Sequence, residues 1–284
     1  MDFFLTDWLT WFFDAVARRA PRSLQVESIR YVSGAVGVWL VVWVIMGRML
    51  ANRKIRKATK RGPQIRREML YSASTIFVFM IMGVFVDEGA GYGWFKFYAE
   101  VDQFGWAYLV ASIVGLAIFH DAYFYWTHRL IHHKKLFRHF HAVHHRSVNP
   151  TPFTAYSFDV GEAAINFMVI PLYCMIVPTH GLATMAYMWF MITRNALGHC
   201  GYELMPRGWT RNPLLNLSTT ITHHDMHHER MNGNYGLYFT WWDRWMGTEH
   251  KDYMARFDEV TNRAAQTSSQ TPSVGEVHGQ VARS

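Results

Sequence analysis

Five stretches of the chain exclude charge almost completely, and they set its architecture. Tyr31–Gly47 is uncharged over 17 residues and Met69–Val86 over 18. Trp106–Phe119 is uncharged and continues to Trp126 with only His120 and Asp121 interrupting. Two shorter runs, Ala163–Val177 and Leu182–Ile192, are separated by Pro178-Thr179-His180-Gly181. A helix crossing a bilayer core takes about 20 apolar residues, with about 17 as the lower limit. The first three runs therefore predict membrane spans. The last two predict a tight helical hairpin that dips into or crosses the membrane.

The ends of the chain read differently. Before the first run, Trp8, Trp11, Phe12 and Phe13 are followed by Arg18, Arg19 and Arg22. That pattern lacks the unbroken apolar core of a secretory signal and predicts an amphipathic helix lying in the interface. The last residues are rich in Gln, Ser, Thr and Gly and predict a disordered tail. The expected organisation is an interfacial segment over 1–30, a membrane hairpin with a basic loop over 31–105, a histidine-rich domain over 106–262 and a tail over 263–284.

Half of the 284 residues are hydrophobic and 16% aromatic, yet the mean hydropathy is near zero, as expected when spans are joined to a polar portion. The net charge of +7 is concentrated, with nine Lys or Arg between Arg48 and Arg67. That placement predicts a cytoplasmic loop between two spans that binds anionic lipid or steers an acidic donor; no nucleic-acid partner is expected. The next loop carries Asp87, Glu88, Glu100 and Asp102 against Lys96, as an outer loop would. Cys174 and Cys200 are the only cysteines, so no thiolate metal site is available.

Eight of the sixteen histidines fall into three boxes: His128-Arg-Leu-Ile-His132, His141-Ala-Val-His144-His145 and His224-Asp-Met-His227-His228. Side chains three or four apart on a helix share a face. Neutral imidazole is the commonest metal ligand, and one metal rarely needs more than four, so eight imply two metals. The predicted topology delivers all three boxes to the cytoplasmic side.

The boxes and their neighbours resemble the fatty acid hydroxylase/sterol desaturase superfamily of membrane di-iron oxygenases. The likeness rests on Asp121–His132 (DAYFYWTHRLIH), Phe140–Ser147 (FHAVHHRS) and His223–Gly247, which includes Asn234-Tyr235-Gly236 and Trp242-Asp243-Arg244. It implies two iron ions (Fe2+/Fe3+), O2 as co-substrate, a lipid substrate in the membrane and an external electron donor. It adds His199, before the third box, as a ligand. Asn195 stands where some members carry another histidine; it is expected to hold a metal-bound water or to fill a packing position. His223 is left as ligand or as support for one.

Several carboxylates flank the boxes. Asp225 and Glu229 are expected either to accept hydrogen bonds from ring nitrogens turned away from metal or to be solvated loop charges. Glu162 and Asp159 either support ligands or, the favoured reading, pair with Arg146 or Arg194. Asp243 is expected to pair with Arg244. His120 lies eight residues, about 12 Å, before His128 and cannot share its metal; it or Asp121 lines a substrate passage or ties helices together.

The expected fold is all-α: a helical membrane bundle of three spans and a hairpin carrying a cytoplasmic, histidine-rich di-metal cap. The expected reaction is O2-dependent hydroxylation or desaturation of a sterol-like, hopanoid, fatty acyl or carotenoid lipid. Its membrane would be the bacterial cell membrane, or the endoplasmic reticulum in a eukaryote. With no flavin, nicotinamide, haem-attachment or iron–sulfur motif in the chain, electrons are expected from a b-type cytochrome or a ferredoxin with its reductase. The alternatives are a zinc-dependent membrane hydrolase, which would need fewer histidines, and a non-enzymatic metal transporter, which would place its ligands at mid-membrane.

Overall fold

The computed structural model describes residues 2–56 and 62–269. The described chain is an all-α bundle in which three helices are long and apolar enough to cross a membrane: Asp7–Ile45, Gly62–Gly91 and Gly105–Ile131. The first begins as α1 (Asp2–Tyr31) and runs on through π-helical turns at Val32–Val36 and Trp39–Ile45. The boundary expected at residue 30 is therefore not a break in the helix. At about 1.5 Å per residue this helix far exceeds a hydrocarbon core of about 30 Å, so a single crossing uses only part of it.

α2 (Gly62–Gly91) lies along α1, tied by Ser23 Oγ to the Met80 carbonyl at 3.2 Å and by the Arg19–Glu88 ion pair. α3 (Gly105–Ile131) follows, then the short α4 (Lys134–Phe140) and the single-turn α5 (Ala142–His145). The expected hairpin is present as α6 (Val160–Phe167) and α7 (Val169–Ile176) returning through α8 (Gly181–Gly198). Its turn adds the one two-stranded sheet among the described residues: β1 (Phe97–Tyr98) pairs in parallel with β2 (Thr179–His180). His180 fixes this turn, accepting from Leu182 N and donating Nε2–H to the Ala99 carbonyl at 2.7 Å. Close packing of the first helix on α8 needs Gly34, where a Cβ would lie 2.7 Å from Ile192 Cγ1.

The remaining polypeptide closes one end of the bundle with α9 (Ile221–Arg230), α10 (Trp241–Trp245) and α11 (Tyr253–Ser269). α11 runs to Ser269, into the stretch expected as a tail; 270–284 lie outside the described residues. The basic segment docks at this same end. Ile55 N donates to Gly201 O, Glu203 N to Arg53 O, and Arg53 Nη1 to the Glu203 and Met205 carbonyls. Residues 57–61 of that segment lie outside the described residues.

Candidate metal centre

α3 ends in His128 and, as its closing residue, His132. His141 opens α5, which carries His144 and His145. His199 closes α8. Thr220 caps α9, accepting from His223 N, and α9 carries His224, His227 and His228. Chain segments far apart in sequence thus deliver nine imidazoles to one end of the bundle.

The nine form two groups, each with its ring nitrogens within 4.8 Å of one another: His128, His132, His141, His145 and His227 in one, His144, His199, His224 and His228 in the other. The groups adjoin, with ring centroids 4.8 Å apart for His145 and His228 and 5.1 Å for His141 and His144. The second and third boxes are each divided. Their outer histidines, four residues apart, share a group, and the middle one turns to the other group.

Hydrogen bonding fixes which nitrogen faces inward. A carbonyl only accepts, so the contacts of His128 Nδ1 to Tyr235 O (2.9 Å), His199 Nδ1 to Asn195 O (2.8 Å) and His227 Nδ1 to Gly233 O (2.8 Å) place the proton on Nδ1. Nε2 of each neutral ring is then a bare lone pair. His199 Nε2 faces Nε2 of His224 at 2.9 Å, His228 at 3.1 Å and His144 at 3.3 Å. His128 and His141 meet through Nε2 at 3.0 Å, as do His227 and His145, while His145 and His132 meet at 3.1 Å. Converging lone pairs repel unless a cation lies among them. The donor set therefore fits two metal ions that take nitrogen ligands.

Burial keeps these rings neutral. It pushes His144, His224, His227 and His228 well below the ordinary histidine range, and repulsion from neighbouring rings adds to the effect. His145 falls to about 3 and His199 to about 4, burial again being the main cause. Neutral rings are the form that binds metal.

The flanking residues depart in several respects from the sequence expectations. Glu162 pairs with neither Arg146 nor Arg194; its Oε1 contacts His141 Nδ1 at 2.7 Å, both side chains buried. Asp159 caps α6 by accepting from Gly161 N, and Arg194 donates to Thr219. Asp225 is neither bonded to a ring nor solvated: it is buried and paired with Arg56 of the basic segment at 2.7 Å. Glu229 is exposed. The Asn195 amide donates to the Ala155 carbonyl at 2.9 Å. His223 is buried outside both groups, its Nε2 3.5 Å from Asp243 Oδ2.

His120 Nδ1 is hydrogen-bonded to the Tyr187 hydroxyl and, at 3.2 Å, to that of Tyr238. Asp121 accepts from Tyr238 N, Phe239 N and Trp241 Nε1. Together they join α3 to α8 and to the turn before α10. Asp243 does not pair with Arg244. It accepts from Tyr235 N, Gly236 N and Thr248 Oγ1, while Arg244 pairs with Glu249. The Tyr235 carbonyl, which holds His128, shares its peptide with Gly236 N and is thus fixed from behind, while that of Gly233, which holds His227, shares its peptide with Asn234 N, which donates to Thr248 O at 2.9 Å.

Two buried carboxylates beside the histidine segments are absent from the sequence expectations. Glu68 accepts from Gln64, Ser147, Thr151 and Thr154, holding the segment after α5 against α2. Glu203 accepts from Thr222 N and Oγ1 and fixes the start of α9. Each is a lone acid with no motif around it, so no spacing signal marks it.

Residues 113–248, which hold all nine rings, match the family model described as fatty acid hydroxylase. The likeness to the fatty acid hydroxylase family covers just under half of the chain. It is 30% identical to lathosterol oxidase of Rattus norvegicus over 190 residues, 64% of this chain and 60% of that protein. It is 28% identical to a delta(7)-sterol 5(6)-desaturase of Gibberella zeae over 250 residues, 87% of this chain and 74% of that protein. Methylsterol monooxygenase 1 of Rattus norvegicus is 32% identical over 150 residues, 51% of this chain and 48% of that protein. The chain thus spans less than two thirds of the length of the lathosterol oxidase and the monooxygenase. No solved structure matches it. The matched region begins within α3 and ends just after α10, so α1 and α2 lie outside it.

Proposed function

We propose that this protein is a membrane oxidoreductase that hydroxylates or desaturates a lipid with O2 at two histidine-held irons. The observation that carries the reading is the division of nine buried imidazoles into two adjoining groups inside the region that matches the fatty acid hydroxylase family. Five rings (His128, His132, His141, His145, His227) would hold one ion and four (His144, His199, His224, His228) the other. Iron with nitrogen ligands supplies the oxygen activation that cutting an unactivated C–H bond requires, which zinc does not.

The chain's own residues do the positioning. The carbonyls of Tyr235, Asn195 and Gly233 and the carboxylate of Glu162 hold four rings by Nδ1, so that Nε2 points inward. The apolar spans keep a lipid in the bilayer beside the site. The names of the relatives favour a sterol-like substrate over a hopanoid, fatty acyl or carotenoid one. The two electrons of each turnover come from a separate donor, a b-type cytochrome or a ferredoxin with its reductase. The basic segment at the histidine end, read by the positive-inside rule, supports a cytoplasmic site.

The test is metal content and a Mössbauer spectrum of detergent-purified protein grown on isotopic iron. About two irons per chain, coupled to each other, with one iron and the coupling lost in a His144→Ala variant, is the expected result. A reduced donor, O2 and sterol should then yield product that has gained one oxygen or lost two hydrogens. Active protein holding zinc, with no iron-dependent turnover, would replace this reading with a hydrolase or a transporter.

A further inference from the structure

The five-ring group is connected to the protein surface by an unbroken series of aromatic rings. Tyr235 touches three of its members, with centroids 5.1 Å from His132, 5.6 Å from His227 and 5.7 Å from His128. Tyr125 lies 6.4 Å from Tyr235 and stacks on Trp242 at 5.8 Å with planes 19° apart. Trp242 meets Trp245 at 5.4 Å, and Trp245 is 65% exposed. Tyr125 itself has no accessible surface.

Tyrosine and tryptophan are the side chains that give up one electron most readily, but a phenol does so only if its proton has somewhere to go. Tyr125 has such a place. Its hydroxyl lies 3.0 Å from Thr248 Oγ1, and that hydroxyl donates to Asp243 Oδ1 at 2.7 Å. With the Thr248 proton committed to Asp243, Tyr125 is the donor of the first bond. Arg129 Nη1 donates to the same phenol oxygen at 3.2 Å. Interfacial anchoring alone accounts for an exposed Trp245, but not for a buried tyrosine wired to a carboxylate.

We propose that Tyr235, Tyr125, Trp242 and Trp245 form a hole-transfer chain that drains oxidising equivalents from the five-histidine site to the surface when no lipid C–H bond is in reach. This rests on the di-iron reading above. Each event moves one electron inward. Tyr125 gives an electron through the Tyr235 ring, which keeps its own proton, to the site; the Tyr125 phenol proton passes to Thr248, and the Thr248 proton passes to Asp243. Trp242 then reduces Tyr125, whose proton returns by the same route, and Trp245 reduces Trp242. A one-electron reductant in solution, such as ascorbate, refills Trp245. The residues that would otherwise be oxidised are the ligand histidines and Tyr235.

The experiment has two arms. In the first, metal-free protein is photo-oxidised with a ruthenium polypyridyl sensitiser and persulfate, then frozen for electron paramagnetic resonance. A tyrosyl signal that disappears in both Tyr125→Phe and Trp242→Phe is expected, because a hole placed on Trp245 reaches Tyr125 through Trp242. In the second, iron-loaded protein without lipid is given hydrogen peroxide, which supplies two oxidising equivalents, and oxidised residues are mapped by mass spectrometry. Damage should lie on Trp245 and Trp242 in the parent and move to the ligand histidines and Tyr235 in Trp242→Phe, with several-fold faster loss of bound iron. Ascorbate should protect the parent and not that variant. A tyrosyl signal unchanged in both variants, with damage in the same place in parent and variant, would overturn the proposal. Failure to bind iron while the first arm succeeds would instead count against the di-iron reading.

Discussion

His141 and Glu162, twenty-one residues apart, meet between Nδ1 and Oε1 at 2.7 Å with both side chains buried. With the ring proton on Nδ1 and the carboxylate accepting, His141 Nε2 presents its lone pair to the five-ring group. A partner of this kind sets the tautomer and basicity of a metal-binding ring, and losing one typically costs about 10–100-fold in metal affinity. Glu162→Ala should therefore lose iron to a chelator at that order of lower concentration. Glu162→Gln, whose amide oxygen still accepts, should lose far less. Equal behaviour of the two variants would show that the contact does not orient the ring.

The two groups are unequal, and that inequality is measurable. His144→Ala leaves its ion three rings, whereas His145→Ala leaves four. His144→Ala should then fall to about one iron per chain during purification. His145→Ala should retain nearly two and release the second only under chelator challenge. The opposite order would mean that the five-ring group does not hold its ion with all five.

The candidate site was legible in the sequence because helical spacing survives into the fold: His128 and His132, His141 and His145, His224 and His228 each turn one face inward. The division of each H-x-x-H-H box between two groups was not legible, since it depends on how α5 and α9 cross. Nor were the partners of the rings. Backbone carbonyls such as those of Tyr235 and Gly233 carry no sequence signal, and Glu162 looked like a partner for arginine because charge can be read from sequence and proximity cannot. The spans were legible as runs of missing charge. The helical continuity from Asp2 to Ile45 was not, because Arg18, Arg19 and Arg22 interrupt the pattern where the helix does not stop.

Arg56 sits in the basic segment yet acts as the partner of a buried acid, Asp225, adjacent to His224. Removing one member of a buried pair leaves an uncompensated charge and typically costs about 3–5 kcal/mol. Arg56→Ala should lower the thermal midpoint by several degrees, and Arg56→Lys should recover part of the loss. A midpoint unchanged in Arg56→Ala would show that the pair is hydrated in solution.

Metal-free protein should be acid-labile in a defined window. A histidine free of its fold titrates near about 6.5, while burial holds His145 at about 3 and His199 at about 4. Below about 6.5 the unfolded chain takes up protons that the folded chain refuses, so stability is complete above that value and is lost as pH falls. Intrinsic fluorescence of the stripped protein should report a thermal midpoint that is nearly level above about pH 7 and falls progressively from about pH 6.5 towards about pH 4. A flat profile would mean that the rings accept protons without unfolding the cap.

Sidedness can be settled with two engineered thiols, because Cys174 and Cys200 are both buried and give little background. Lys251 is exposed between α10 and α11 at the histidine end, and Glu100 is exposed beside β1 at the opposite end of the bundle. The sequence between Arg48 and Arg67 holds nine basic residues, of which Arg53 and Arg56 bond to the histidine end; this predicts that the end is cytoplasmic. In intact cells, or in sealed vesicles whose outer face matches the cell exterior, an impermeant maleimide should label Glu100→Cys. It should reach Lys251→Cys only after the membrane is opened. Labelling in the reverse order would put the histidine cluster outside, where a cytoplasmic electron donor could not reach it, and the assignment of the donor would fall with the topology.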